Sequence, residues 1–206
     1  VDIQVWSDVV CPWCYLGRHR LEAALAMFGE DVTVTYRAYQ LDPSPVPEPL
    51  PVTTVMANAA EMVDRVTAAG AADGLVLDFG RAVTANTFTA HRLIAWAALR
   101  DRQSAMLDAL QRAHFADGVD LGSVPALAAV AGTIGLDAAE ALSYLESQAG
   151  TAAVRNDLDE ARELGVTSVP TLVIDGKFVI QGAQDPATLL SAFQEIRRRE
   201  TVEAGR

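Results

Sequence analysis

The chain of 206 residues has two cysteines, and they stand together as Cys11-Pro12-Trp13-Cys14 between an apolar stretch, Ile3 to Val10, and a run with helical spacing. A strand that passes straight into a helix through such a pair restricts the folds available, because the first cysteine must then occupy a helix N-terminus. Unpaired backbone N–H groups and the positive end of the dipole favour an anion there. Only the thiolate attacks a disulfide, and a free cysteine with a pKa near ~8.5 is mostly protonated at neutral pH. Lowering that pKa by two units takes ~2.7 kcal/mol, whereas an exposed dipole supplies ~0.3–1 kcal/mol. Hydrogen bonds to the charged sulfur, at ~1.5–3 kcal/mol each, can close the gap. The backbone N–H and thiol of Cys14 are placed to make them, so Cys11 is the expected nucleophile and Cys14 the resolving thiol.

Plainer uses of the pair are weaker. A disulfide closing about four residues gains only ~2 kcal/mol in the chain-entropy model, against ~4.7 for a 100-residue loop, so it would be a poor staple. Structural zinc wants four ligands, and no second cysteine pair accompanies His19, His91 and His114; no metal is expected.

The length fits one domain, or one domain with an insertion, and 50% hydrophobic residues give ample material for a core. A net charge of −11 argues against nucleic acid and anionic membranes as partners, since both demand basic patches. No apolar run approaches the ~18 residues needed to span a bilayer. The redox motif follows the first residue within one strand length, without a basic region and apolar core of a secretory signal. A cytoplasmic location is expected, although the first residue, Val1, is not Met and a removed leader stays open.

The organisation is βαβ, a helical block, then ββα. Asp2 to Ser7 alternates as a strand; Pro12 to Phe28 carries Trp13, Leu16, Leu21, Leu25 and Phe28 at helical spacing, with Gly29 as the stop. A second strand runs from Val32 through Tyr39 until five prolines, Pro43 to Pro51, mark a linker. Helices are expected over Thr53–Ala69, Asn86–Arg102, Ser104–Phe115, Ser123–Ile134, Asp137–Gln148 and Thr151–Leu164, with Asp137 in a cap role three residues before Glu140. Strands return at Val169–Ile174 and Lys177–Ile180 around an Asp175-Gly176 turn, and Asp185-Pro186 opens a last helix.

Four segments in this order carry a resemblance: Ser7 to Gly17 around the cysteines, Asn86-Thr87 with Ala90-His91-Arg92-Leu93, Gly165 to Thr171, and Gly182-Ala183-Gln184. The chain resembles the DsbA-like superfamily and, within it, the FrnE-like branch related to 2-hydroxychromene-2-carboxylate isomerases. The resemblance implies an α/β, thioredoxin-like fold with a large all-helical insertion, residues 1–52 and 166–206 forming the thioredoxin-like part and 53–165 the insertion. It implies a cis-proline at Pro170 set against the cysteines. The substrate-binding positions it suggests are Pro12, Trp13, Val169, Pro170, His91 and Gln184, beside catalytic Cys11 and Cys14.

From these residues the expected function is thiol-disulfide exchange of the reductase or isomerase type, on a disulfide-containing protein or small-molecule thiol substrate. No bound cofactor is implied, with glutathione as a candidate reductant or co-substrate, and a homodimer stays open. The alternative is a glutathione-dependent isomerase or kappa-class-like transferase acting on an aromatic small molecule; those isomerases generally carry a serine nucleophile, and the complete cysteine pair argues against it. A redox-responsive binding protein, in which the pair only switches a partner surface, is the third reading. With Trp13 in place of a cationic residue between the cysteines, a milder oxidant than DsbA is expected. Asp8 reads first as a turn residue and second as an acid acting on the pair; Arg18 and His19 read as solvated helix surface, and His91 as a buried, hydrogen-bonded side chain or a groove-lining one.

Overall fold

The computed structural model describes residues 1–56 and 58–204. Four strands form one mixed sheet in the order β2-β1-β3-β4, with β1 (Asp2–Ser7) central beside β2 (Thr33–Ala38) in parallel and β3 (Thr171–Ile174) antiparallel. β3 and β4 (Phe178–Gln181) make a hairpin whose turn residues Asp175 and Gly176 both have positive φ, 50° and 65°. That is the conformation for which an Asp-Gly pair is suited. The register opposes Val5 to Tyr36 on one side and to Leu172 on the other, giving a row of buried apolar side chains. Trp6, on the opposite face by strand alternation, is fully buried, and its indole N–H donates to Asp157 O at 3.3 Å. Both faces of β1 are therefore covered. This is the arrangement the resemblance implies, a four-stranded mixed sheet with helices between the two strand pairs.

Helix α1 (Pro12–Phe28) follows β1 and ends on Gly29 at φ 69°, and α9 (Pro186–Ala204) packs along it, the rings of Phe28 and Phe193 meeting at 5.7 Å. Between β2 and β3 lie α2 (Val52–Val55), α3 (Ala60–Ala72), α4 (Phe88–Ala98), α5 (Gln103–Phe115), α6 (Val124–Thr133), α7 (Ala138–Glu146) and α8 (Thr151–Glu163). One apolar cluster runs from Ile3, Val5 and Leu21 into Leu93, Leu107 and Leu127. A second joins Tyr15 of α1 to Val66, Leu77, Phe79 and Phe115.

The helix expected over Thr53–Ala69 is instead two, a single turn at α2 and a helix from Ala60; Ala57 lies outside the described residues. Tertiary contacts set the start of α2, where the Val52 N–H donates to Ala82 O at 2.9 Å and Pro51 bridges to Val83, and the helix is interrupted at Met56, whose N–H closes its single turn on Val52 O. The β-branched run Val52-Thr53-Thr54-Val55 gives helix propensity little with which to resist. Helix α4 begins at Phe88 rather than Asn86, because the Asn86 side chain is spent on Pro43 O, Ser44 O and the Phe88 N–H. Arg92 on α4 caps the end of α7: its guanidinium donates to the carbonyls of Tyr144, Leu145, Ser147 and Ala149.

Arg18 corrects the expectation of a solvated side chain. It is 5% exposed, and its guanidinium bonds Gln111 Oε1 at 3.0 Å, Glu22 and Asp108, tying α1 to α5.

Candidate active site

The site is built where β1 ends and α1 begins. The Cys11 N–H donates to Asp8 O at 3.2 Å, closing the turn, and Cys11 is then the N-cap of α1, with extended backbone angles (φ −84°, ψ 115°) and Pro12 at the first helical position. The first turn of α1 carries no acidic residue, and no side chain caps it. Its orphan amides face the position of the Cys11 sulfur.

Both thiols are free and lie side by side. Hydrogen bonding from the Cys14 thiol holds the Cys11 pKa below the ordinary thiol value, helped by the amides of Cys14 and Trp13 and opposed by burial and by the Asp8 carboxylate. Cys14 moves the other way: burial raises its pKa well above the ordinary value, and the Cys11 sulfur beside it adds to the shift. The arrangement makes one of two chemically identical groups the more readily ionised and the other the less.

Cys11 is 4% exposed and Cys14 1%, but the surroundings of Cys11 open quickly: Val10, Trp13 and Val169 are half-buried, and Thr167 and Ser168 are exposed. The pair lies just beneath the surface. The Val169-Pro170 peptide bond is cis, and the Cys11 sulfur is 3.9 Å from Val169 O. Gly17 makes this approach feasible, since a Cβ at that position would come within 2.8 Å of the Pro170 ring.

The structure thus gathers Cys11, Cys14, Pro12, Val169 and Pro170 at one point. Trp13 leans against the cluster of Tyr15 and Phe115. Gln184 is exposed and donates to Gln181 O at 2.8 Å, in a loop joined to the cis-proline through the Gly182 N–H bond to Pro170 O. His91 faces inward: its Nε2 is 2.9 Å from Tyr39 O and 3.3 Å from Asp8 Oδ1, and its ring borders an interior cavity of about 30 Å³ shared with Ser7 and Asp157. It does not border the larger cavity beside the cysteines.

That larger cavity, about 280 Å³, runs from Val10 and Pro12 of the redox turn to Leu41, Val52, Phe79 and His114. It is mainly apolar, and His114, 1% exposed, has a buried Nδ1 with no hydrogen-bond partner among the described residues. Burial pushes the His114 pKa down to about 4, so the ring is neutral near pH 7. From the sequence His114 reads only as a candidate zinc ligand. Its role here has no local signal, because the neighbours that bury it come from the linker and the helical block. No group of three or more His, Cys, Asp or Glu side chains among the described residues is placed to hold a metal ion, and no helix among them is long and apolar enough to cross a membrane.

The fold recurs among known proteins. A model of the DSBA-like thioredoxin domain matches residues 2–194. The solved structure of a probable DsbA oxidoreductase from Streptomyces coelicolor is 34% identical, with a TM-score of 0.87 over 94% of this chain and 88% of that one. A 2-hydroxychromene-2-carboxylate isomerase shares the fold at 18% identity, with a TM-score of 0.75 and 98% of each chain covered. So does the cytosolic disulfide reductase DsbM from Pseudomonas aeruginosa, solved with glutathione, at 23% identity and a TM-score of 0.65, over 97% of this chain and all of that one.

Proposed function

The chain belongs to the DSBA-like thioredoxin domain family, and from that membership we propose that it is a thiol-disulfide oxidoreductase of the reductase or isomerase type, with Cys11 as nucleophile and Cys14 as resolving thiol. The observation that carries this reading is the placement of Cys11 at the uncapped N-terminus of α1, its sulfur 3.9 Å from Val169 O before the cis Val169-Pro170 bond, with Cys14 one turn along the helix. In the first step the Cys11 thiolate attacks one sulfur of a substrate disulfide; a Cys11–substrate disulfide forms, and the other substrate sulfur leaves as thiolate. In the second, Cys14 gives up its proton and attacks the Cys11 sulfur. The Cys11–Cys14 disulfide forms, the second substrate thiolate leaves, and two electrons have passed from protein to substrate. Two equivalents of a thiol such as glutathione return the protein to the dithiol, becoming oxidised to their disulfide. Pro12, Trp13, Val169 and Pro170 are the contact surface in this reading, with Gln184 at its margin. Residues 1–52 with 166–206 serve as the redox part, 53–165 as the insertion, and a reducing cytoplasm as the setting. A homodimer remains compatible with it.

The test is insulin reduction together with trapping. Wild type should turn over insulin with glutathione, and Cys14→Ser should accumulate a stoichiometric mixed disulfide through Cys11. A wild type that leaves insulin intact and a Cys14→Ser variant that traps nothing would overturn the proposal. The 280 Å³ apolar cavity beside Pro12 favours one second reading, a glutathione-dependent isomerase or transferase acting on an aromatic small molecule. Glutathione-dependent isomerisation that survives in Cys14→Ser would select it.

A further inference from the structure

Asp8 is a buried acid that the exchange steps do not use. It is 1% exposed and sits three residues before Cys11 in the same closed turn. Its carboxylate is fixed at both oxygens: Oδ2 accepts the Leu41 N–H at 2.8 Å, and Oδ1 faces His91 Nε2 at 3.3 Å. Nε2 also faces the Tyr39 carbonyl at 2.9 Å, so this nitrogen carries a hydrogen and donates to both oxygens. One Nε2–H meets that geometry, and the contact anchors the carboxylate. Among the described residues no lysine or arginine lies within ion-pairing distance of Asp8, and His91 is its one side-chain neighbour of that kind. The titratable groups that face the turn are Cys11 and Cys14 from α1, His91 from α4 and His114 from α5. No lysine or arginine is among them.

Resting on the reading of Cys11 as the nucleophile, we propose that Asp8 is a positioning residue that sets the redox poise of the pair: its anchored carboxylate, three residues before Cys11 in the same closed turn, disfavours the thiolate and holds the protein on the reducing side. A pair is a strong oxidant when its reduced form is stabilised, chiefly as thiolate. A like charge fixed in a water-poor turn removes part of that stabilisation. The direction of the Asp8 effect on Cys11 agrees, opposing the hydrogen bonds from Cys14. Asp8 thus supplies a bias toward electron donation that is separate from the residues between the cysteines.

The experiment is equilibration of the full chain with glutathione and its disulfide, paired with the pH profile of Cys11 alkylation by iodoacetamide. Asp8→Asn keeps the shape and loses the charge. Its equilibrium should move roughly tenfold toward the dithiol, a potential about 30 mV more positive for this two-electron couple, and its alkylation midpoint should fall. Asp8→Glu, which retains the charge, should stay near wild type. Asp8→Ser keeps an acceptor for the Leu41 amide in a smaller side chain and gives the same reading if Asp8→Asn does not fold. An unchanged equilibrium constant and midpoint in the folded neutral variant, or a shift in the opposite sense, overturns the role of Asp8 alone. A wild type that never equilibrates with glutathione overturns the oxidoreductase reading instead.

Discussion

The N-termini of α1 and α7 have almost the same backbone. Cys11 caps one at φ −84° and ψ 115°, Asp137 the other at φ −71° and ψ 113°. At α7 a carboxylate accepts the amides of Ala139 and Glu140 at 2.8 and 3.0 Å, and Glu140 adds negative charge to the first turn. At α1 no side chain accepts and no acid follows. One helix end is satisfied permanently; the other is satisfied only when its sulfur ionises. The same local geometry serves stability in one place and reactivity in the other, and the side chain at the cap decides which.

Replacing Cys11 by Ser breaks the comparison most sharply, since serine is a preferred cap but a poor nucleophile for disulfides. Exchange should fall by at least about 10³-fold, ~4 kcal/mol of barrier, while folding stability stays level or rises by up to ~1 kcal/mol. Insulin turnover and urea unfolding measure the two effects; a variant that loses stability in step with activity would show that the cap is structural.

The surroundings of the two ends differ as well, and pH exposes the difference. Burial lowers His114 near the redox turn to about 4 from 6.5. The unfolded chain therefore binds the extra proton first, and the stability this histidine contributes is complete above pH 6.5 and lost as the pH falls through the window down to about 4. The shift corresponds to ~3 kcal/mol at its limit. His114→Leu should flatten the stability profile between pH 6.5 and 4, as followed by denaturant midpoints; an unchanged slope would place the sensitivity elsewhere. At the α7 end, Asp137→Ala should cost about 1 kcal/mol and leave exchange at wild-type rates, the smallest of the three effects and the one that shows capping without chemistry.

What could be read in advance was local. Gly29, Asp137, Asp175-Gly176 and Asp185-Pro186 punctuate the chain through their own backbone preferences, and each stands where the spacing predicts. The cysteine turn belongs to the same class, being a strand end joined to a helix start. What escaped depends on distant partners. Arg18 looks like helix surface until Gln111 and Asp108, some 90 residues on, are placed against it. The Asp8 carboxylate meets His91 across 83 positions, and α2 starts where Pro51 and Val52 meet Val83 and Ala82. Periodicity cannot register such contacts, because they arise only after the sheet has assembled.

The four carbonyls gathered by Arg92 have a consequence of their own. A guanidinium stays protonated at any pH a cell experiences and takes no part in electron traffic. The joint between α7 and α8 is consequently clasped in the same way whether the cysteines are bridged or open. His91, the residue before it on α4, meets Asp8 beneath the redox turn, so the machinery that cycles is mounted on a fitting that does not.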